Sequence, residues 1–345
     1  MNINVYLKDF NSVLTPLKNR FDLVNDPREA DILVLWQDVR GNMLELCRIN
    51  KEYLHKPVVV VQHGRGATND YLPPNKFPMM ADKFCCWGIK EYERLQRAGY
   101  ADKAVITGSP LATYINPKVK HDGKNIVFCP VVISHEEPDN INIYWTLKEI
   151  ELKKSRQKLI NHYDALRKDW NAWIVEPKSA TEGSIPYYNF NKEWRLLAKL
   201  TGVHDKRLYM GDVVQTLQIN KTHIEDIIRV LSLTDCVVGI EEGTFQLLAM
   251  AMNVPCIMVD GFKYREYGGI DYSSVEMIKT NSVRRVELSK IEDAIDEELK
   301  NPDVLKTERE QIVKDEFWDG VSDPIANIEK VIRETYNASK SNVSR

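Results

Sequence analysis

Three short segments of this chain bring together residue types that hold or move charge. The first is Gln62-His63-Gly64-Arg65-Gly66, directly after Val58-Val59-Val60-Val61. An imidazole accepts a proton near neutral pH, a guanidinium is a permanent cation, and glycines let backbone approach a ligand closely. His63 is therefore a candidate base and Arg65 a candidate catalytic cation, with Gly64 and Gly66 lining the approach. The same residues also suit a plain polar turn in which His63 bonds neighbouring backbone. The second segment, Thr107-Gly108-Ser109-Pro110, fits a polar ligand-binding edge, with Ser109 as its hydroxyl, and fits a hinge equally well. The third is Ile240-Glu241-Glu242-Gly243-Thr244, ahead of the apolar run Leu247–Met252. A glycine opening a helix leaves first-turn N–H groups and the positive dipole end for a phosphate. Thr244 adds a hydroxyl, and Glu241 or Glu242 accepts from ribose or sugar hydroxyls. An ordinary capped helix with an acidic first turn reads the same way.

Positioning these segments requires parallel β-structure. Short apolar runs are read as strands at Ile3–Leu7, Asp31–Trp36, Pro57–Gln62, Lys83–Trp87 and Lys103–Thr107. Val58–Val61 has no polar alternation, as expected of a strand buried on both faces. Between the strands lie helical segments at Met43–Tyr53 and Lys90–Arg97, the second stopped by Gly99. The grammar then restarts. Strands are expected at Asn125–Cys129, Ala172–Glu176, Arg207–Met210, Asp235–Ile240 and Pro255–Val259. Helices are expected at Thr146–Lys168, Lys192–Leu200, Ile224–Leu231, Thr244–Met252, Lys290–Leu299, Val304–Asp315 and Ile325–Tyr336. Alternating βα units imply an α/β fold of two Rossmann-like domains, whose ligands sit beyond the carboxyl ends of the strands. All three segments fall at such ends.

The 345 residues suit two domains at roughly 150 residues each. Hydrophobic residues make up 43% and charged residues 28%, which excludes a disordered, collagen-like or coiled-coil chain. With 47 basic and 50 acidic side chains, the net charge does not indicate nucleic acid, although it leaves a local basic patch open. No apolar run reaches the roughly 20 residues of a membrane span. The start, MNINVYLKDF, reads as a first strand rather than a signal peptide, so the expected compartment is the cytoplasm. The six cysteines have no Cys-x2-Cys spacing and read as buried free thiols.

In order along the chain, these motifs resemble the GT-B superfamily of nucleotide-sugar and nucleotide-polyol transferases. They are most similar to CDP-glycerol glycerophosphotransferases and capsule-type transferases, with UDP-N-acetylglucosamine 2-epimerases further off. The resemblance rests on His63-Gly64, on Gly99 through Lys103 to Gly108-Ser109-Pro110, on Glu242-Gly243-Thr244 through Pro255, on Tyr264–Ser274 and on Asp319-Gly320. Two departures stand out. The glycerophosphotransferases usually carry Asp-Tyr-Ser-Ser where this chain has Ile240–Thr244, and many relatives have His-Pro where it has Glu176-Pro177-Lys178.

The resemblance implies two domains facing across a cleft. The expected boundaries are an acceptor domain at 1–118, a donor domain at 119–322, a helix at 323–337 returning to the first domain, and a frayed tail at 338–345. It also implies transfer of a sugar or phosphopolyol from a nucleotide-activated donor to a hydroxyl acceptor, a glycan, by an inverting reaction without metal or other cofactor. His63 would be the base with Arg65 beside it, Glu176 the alternative base, and Lys178 with Gly243 and Thr244 the phosphate holders. Alternatives are a nucleotide-sugar 2-epimerase, or a binding protein that has kept the scaffold and lost the chemistry.

Overall fold

The computed structural model describes residues 3–9, 13–39, 41–73, 76–115, 125–129, 171–174, 224, 228, 231–239, 243–260, 276–287 and 290–343. The chain divides into two compact units, Met1–Ile115 with Val313–Arg345, and Asn116–Ile312.

The first unit is built on six strands: β1 (Asn4–Lys8), β2 (Asp22–Val24), β3 (Ile32–Leu35), β4 (Val58–Val61), β5 (Lys83–Cys86) and β6 (Ala104–Ile106). They form one sheet in the order β2-β1-β3-β4-β5-β6, parallel at every pairing. All four residues of β3 and all four of β4 are buried, as a strand covered on both faces must be. Leu35 pairs with Val60, Val61 with Cys85 and Cys86 with Ile106. Trp36, Gln62, Trp87 and Thr107 therefore leave the sheet along a single edge. Because β1 lies between β2 and β3, the strand order reverses at β1/β3, the place where doubly wound sheets hold their ligands.

Helices cover the sheet. In α1 (Gly41–Ile49), Met43 and Cys47 are buried. The single helix expected over Met43–Tyr53 instead widens into a π-turn at Asn50–Leu54 and stops at His55 in the left-handed region. The side chain of Asn50 explains the stop, since it brackets Lys56 by accepting from its N–H at 3.0 Å and donating to its carbonyl at 2.8 Å. Helix α2 (Ile89–Arg97) ends where Gly99 adopts φ +89°. There Tyr100 N–H bonds Leu95 O at 2.9 Å and Gly99 N–H bonds Gln96 O at 3.0 Å, a double closure of the last turn that glycine permits. The last helix of the chain belongs to this unit and contacts β3, β4 and β5. It runs Pro324–Val343 and is numbered α7 below. Its buried residues Ile325, Ile328, Val331, Ile332, Thr335 and Tyr336 recur at helical spacing. The helix continues through residues 338–343, which were expected to fray.

Gly88, the residue before α2, has no room for a side chain. A Cβ there would lie 2.2 Å from the carbonyl oxygen of Asp315 and 2.9 Å from the carbonyl carbon of Glu316. Both are backbone atoms and cannot swing aside. Gly88→Ala is therefore expected to cost about 1–3 kcal/mol of stability, measurable as a lowered urea midpoint.

Among the described residues the second unit carries five parallel strands, β7 (Asn125–Cys129), β8 (Asn171–Ile174), β9 (Cys236–Gly239), β10 (Cys256–Asp260) and β11 (Arg284–Glu287). Their order is β11-β10-β9-β7-β8, so here the order reverses at β7/β9. Between β9 and β10 runs α3 (Thr244–Ala251), where Phe245 through Met250 are all buried, the polar Gln246 among them, as suits a mainly apolar helix. After it come α4 (Glu276–Lys279), α5 (Ile291–Lys300) and α6 (Lys306–Glu316), the last crossing the boundary between the units. Helical expectations at Thr146–Lys168 and Lys192–Leu200, and the strand expected at Arg207–Met210, lie outside the described residues.

Five cysteines, Cys47, Cys85, Cys86, Cys236 and Cys256, are buried free thiols. Burial pushes the thiols of Cys47, Cys85 and Cys256 up to about 12, so they are not nucleophiles at neutral pH. No helix among the described residues is long and apolar enough to cross a membrane.

Candidate functional site

The loop after β4 is fixed at its base by Gln62, a fully buried amide. Its Oε1 accepts from Trp87 N–H at 2.8 Å, its Nε2 donates to Gly64 O at 2.9 Å, and its carbonyl accepts from the Trp87 indole at 2.8 Å. Its Oε1 and carbonyl hold the ends of β4 and β5 together, while its Nε2 ties down the loop at Gly64.

His63 comes next and is partly exposed. Its Nδ1 lies 3.0 Å from the carbonyl oxygen of Trp36, the residue that follows β3. A carbonyl only accepts, so Nδ1 carries the proton, and in the neutral ring Nε2 carries the lone pair. The Trp36 ring meets the imidazole edge-on, with centroids 4.8 Å apart. The sheet thus sets both the tautomer and the orientation of the ring, as a general base requires.

Arg65 points elsewhere. Its Nε and Nη2 grip the carboxylate of Glu316, the second contact at 2.9 Å. The two side chains are 7% and 0% exposed. A fork-to-fork pair of this kind neutralises the guanidinium locally and clamps the loop to the end of α6.

Glu91, in the first turn of α2, holds the other side of the loop. Its buried carboxylate accepts from Gly66 N–H at 2.9 Å, from the Thr68 hydroxyl and from Arg94 at 2.6 Å. Gly66 reaches that contact at φ +76°, a conformation other residues adopt at a cost. His63, Gly64, Arg65 and Gly66 therefore sit on one short loop tied at three points, with His63 between the anchors.

Asp38 adds a further tie beyond β3. Its buried carboxylate accepts from Tyr71 Oη at 2.5 Å and from the amides of Met80 and Ala81 at 2.7 Å each. Burial raises its pKa above the ordinary carboxylate value, and these hydrogen bonds oppose that rise.

Ser109 is fully buried. Its hydroxyl accepts from Leu111 N–H at 3.2 Å and caps the short turn Pro110–Tyr114. Its own N–H bonds Phe317 O at 2.8 Å. The neighbouring Gly108, at φ +81°, packs where a Cβ would be 3.0 Å from Pro324. These contacts give the segment a structural task in joining β6 to the returning chain.

In the second unit, Gly243 is extended at φ −162° and forms the N-cap of α3, supplying no side-chain acceptor to the first turn. Thr244 is the first helical residue. Both lie just beyond β9, at the strand-order reversal. Asn253 closes the far end of α3 at φ +57°, with Val254 N–H on Ala249 O at 2.9 Å, and the buried Arg309 donates to its Oδ1 at 3.0 Å. Glu176, Lys178, Glu241, Glu242 and the Tyr264–Ser274 loop lie outside the described residues. No group of His, Cys, Asp or Glu suited to a metal ion occurs among the described residues.

Trp36, Glu91 and Glu316 were not among the residues expected from sequence. Trp36 acts through its carbonyl, which leaves no trace in residue type. Glu91 has the look of an acid placed for the helix dipole. Glu316 stands 251 positions from its partner.

No protein-family model matches the chain, and no curated protein matches it in sequence. Among solved structures, it is similar to a variant of the wall teichoic acid polymerase TagF soaked with CDPG. Identity is 11% and the TM-score 0.52, over 99% of this chain and 90% of that one. It is also similar to Anabaena HepE in complex with UDP and glucose, at 10% identity and TM-score 0.49, over 98% of this chain and all of that one. The likeness to TagF establishes a shared α/β fold, in agreement with the α/β class expected from the sequence.

Proposed function

We propose that this protein is a GT-B-type transferase, which moves a sugar or phosphopolyol from a nucleotide-activated donor to a hydroxyl acceptor, a glycan. The observation that carries this reading is the His63 imidazole, held with Nδ1–H on the Trp36 carbonyl and its lone pair on Nε2, beyond the carboxyl end of β4. In the reaction, Nε2 takes the acceptor's O–H proton as the oxygen attacks the donor's sugar carbon or phosphorus. The bond to the departing nucleotide phosphate breaks, and its electron pair leaves with that phosphate. A single displacement of this kind inverts a sugar's configuration. The α3 N-terminus at Gly243 and Thr244 takes the phosphate charge through first-turn N–H groups, and Lys178 supplies a cation, so the step needs no metal. Glu241 and Glu242 are assigned to donor hydroxyls, and Glu176 is the alternative base. Arg65 and Ser109 enter as positioning residues, since their polar groups are engaged with Glu316 and Leu111. The fold shared with TagF supports a nucleotide-linked donor. The cytoplasm, where nucleotide-activated donors are made, is the proposed compartment.

A thermal-shift series with CDP, UDP, GDP, ADP and CMP tests the binding half of this reading. A ligand at about 100 times its Kd stabilises by roughly 2.7 kcal/mol, so one nucleotide is expected to raise the melting temperature by several degrees. A flat series would count against the reading.

Gly243 refines that test. Its backbone is extended, and among the described residues a Cβ there would meet only the end of the Gln246 side chain, at 3.3 Å. Gly243→Val is therefore expected to fold with a stability change of less than about 1 kcal/mol. By crowding the first-turn N–H groups, it should weaken nucleotide binding about tenfold or more. Calorimetric titration of the nucleotide selected above checks both numbers.

A further inference from the structure

A concavity opens at the edge of the first unit's sheet opposite the His63 loop. Helix α7 leads there: Asn327 donates to Thr107 O beyond the carboxyl end of β6, and the later turns carry Val331, Thr335 and Ala338 to the amino ends of β4 and β5. With the π-turn after α1, they enclose a cavity of about 790 Å³, within the usual size of small-molecule sites, about 300–1,000 Å³. Val58, Met79, Met80, Val105 and Val331 give it apolar walls.

Its charge is predominantly positive. Lys51, Lys56, Lys83 and Lys103 all line it, with His55 beside them. Lys83 Nζ is held by Asp102 O at 2.7 Å and Lys103 Nζ by Ala81 O at 2.8 Å. Carbonyls fix these ammonium groups in place without cancelling their charge, although the Lys103 charge also acts on the buried Asp38 carboxylate. Among the described residues, none of the four lysines is in an ion pair. Of the two carboxylates present, Asp82 accepts from Val58 N–H at 2.7 Å and Glu334 pairs with Lys330. With four ammonium groups against two carboxylates the wall carries net positive charge, and such a concave wall concentrates anions.

We propose that this cavity binds a small soluble organic anion with an apolar body, at a site on the sheet edge opposite the His63 loop. The anionic group meets the lysine rim and the apolar body rests on Met79, Met80 and Val331.

The probe for the test is 8-anilinonaphthalene-1-sulfonate, titrated by fluorescence, with its uncharged counterpart N-phenyl-1-naphthylamine as comparison. Lys51→Ala with Lys56→Ala removes two rim charges at partly or fully exposed positions. Ala338→Trp fills the cavity from an exposed position of α7. Circular dichroism melts establish that both variants fold. The sulfonate is expected to bind saturably, about tenfold more weakly in the double variant, and to lose binding in Ala338→Trp. The uncharged probe should bind more weakly and ignore the lysine substitutions. Equal affinity for the two probes, or unchanged sulfonate affinity in either folded variant, overturns the proposal. Phosphatidylglycerol vesicles separate a lipid source from a free anion. Sedimentation with them that the double variant abolishes would overturn the soluble-ligand assignment, and no lysine-dependent sedimentation is expected.

Discussion

His63→Ala is expected to cut kcat by about a hundredfold or more while nucleotide affinity stays within about twofold of the native value. The split follows from the geometry. A base acts on the acceptor's proton in the transition state, so removing it leaves donor binding intact. Among the contacts the substitution gives up are the hydrogen bond to Trp36 O and the edge-on ring contact, together about 1–2 kcal/mol. Had His63 only closed a turn, activity would fall no further than the folded fraction. Melting temperature, nucleotide Kd and kcat measured on the same preparation separate the two cases.

Arg65→Met is expected to cost about 3–5 kcal/mol of stability. The substitution keeps much of the side-chain volume and leaves the Glu316 carboxylate, fully buried, without its guanidinium. The burden comes from the stranded charge, so the double variant with Glu316→Gln should recover more than half of the loss. Urea unfolding of the two single variants and the double variant completes the cycle. This experiment also decides between the catalytic role expected of Arg65 from sequence and the clamping role its contacts describe. A folded Arg65→Met protein of native stability that had lost turnover would return Arg65 to the chemistry.

The contrast between His63 and Arg65 shows how far sequence reaches into this fold. Runs such as Val58–Val61 and Cys236–Gly239 are legible because a strand buried on both faces must be apolar throughout. Gly99 and the end of α2 are legible because only a few residue types take a left-handed backbone cheaply. β2 and β11 are not. β2 has three residues, two of them exposed, and β11 alternates Arg284, Val286 and Glu287 at partly and fully exposed positions, so neither presents the apolar run that marks an inner strand. The loop after β4 is recognisable as a candidate site by its place and its residue types. Which of its charges is engaged internally depends on Glu316, brought back by the helices at the chain's end, and no local pattern reports that. Ser109 teaches the same lesson at shorter range: a hydroxyl offered by the sequence as a ligand contact is taken up by Leu111 N–H, two residues on.

The most direct test of nucleotide-dependent transfer is release of free nucleotide from CDP- and UDP-linked donors, measured with and without hydroxyl acceptors. The account predicts that one donor is turned over, that release rises with acceptor concentration, and that the donor's sugar or polyol appears on the acceptor oxygen. A protein that binds its nucleotide tightly yet releases none from any donor, with any acceptor, would contradict it.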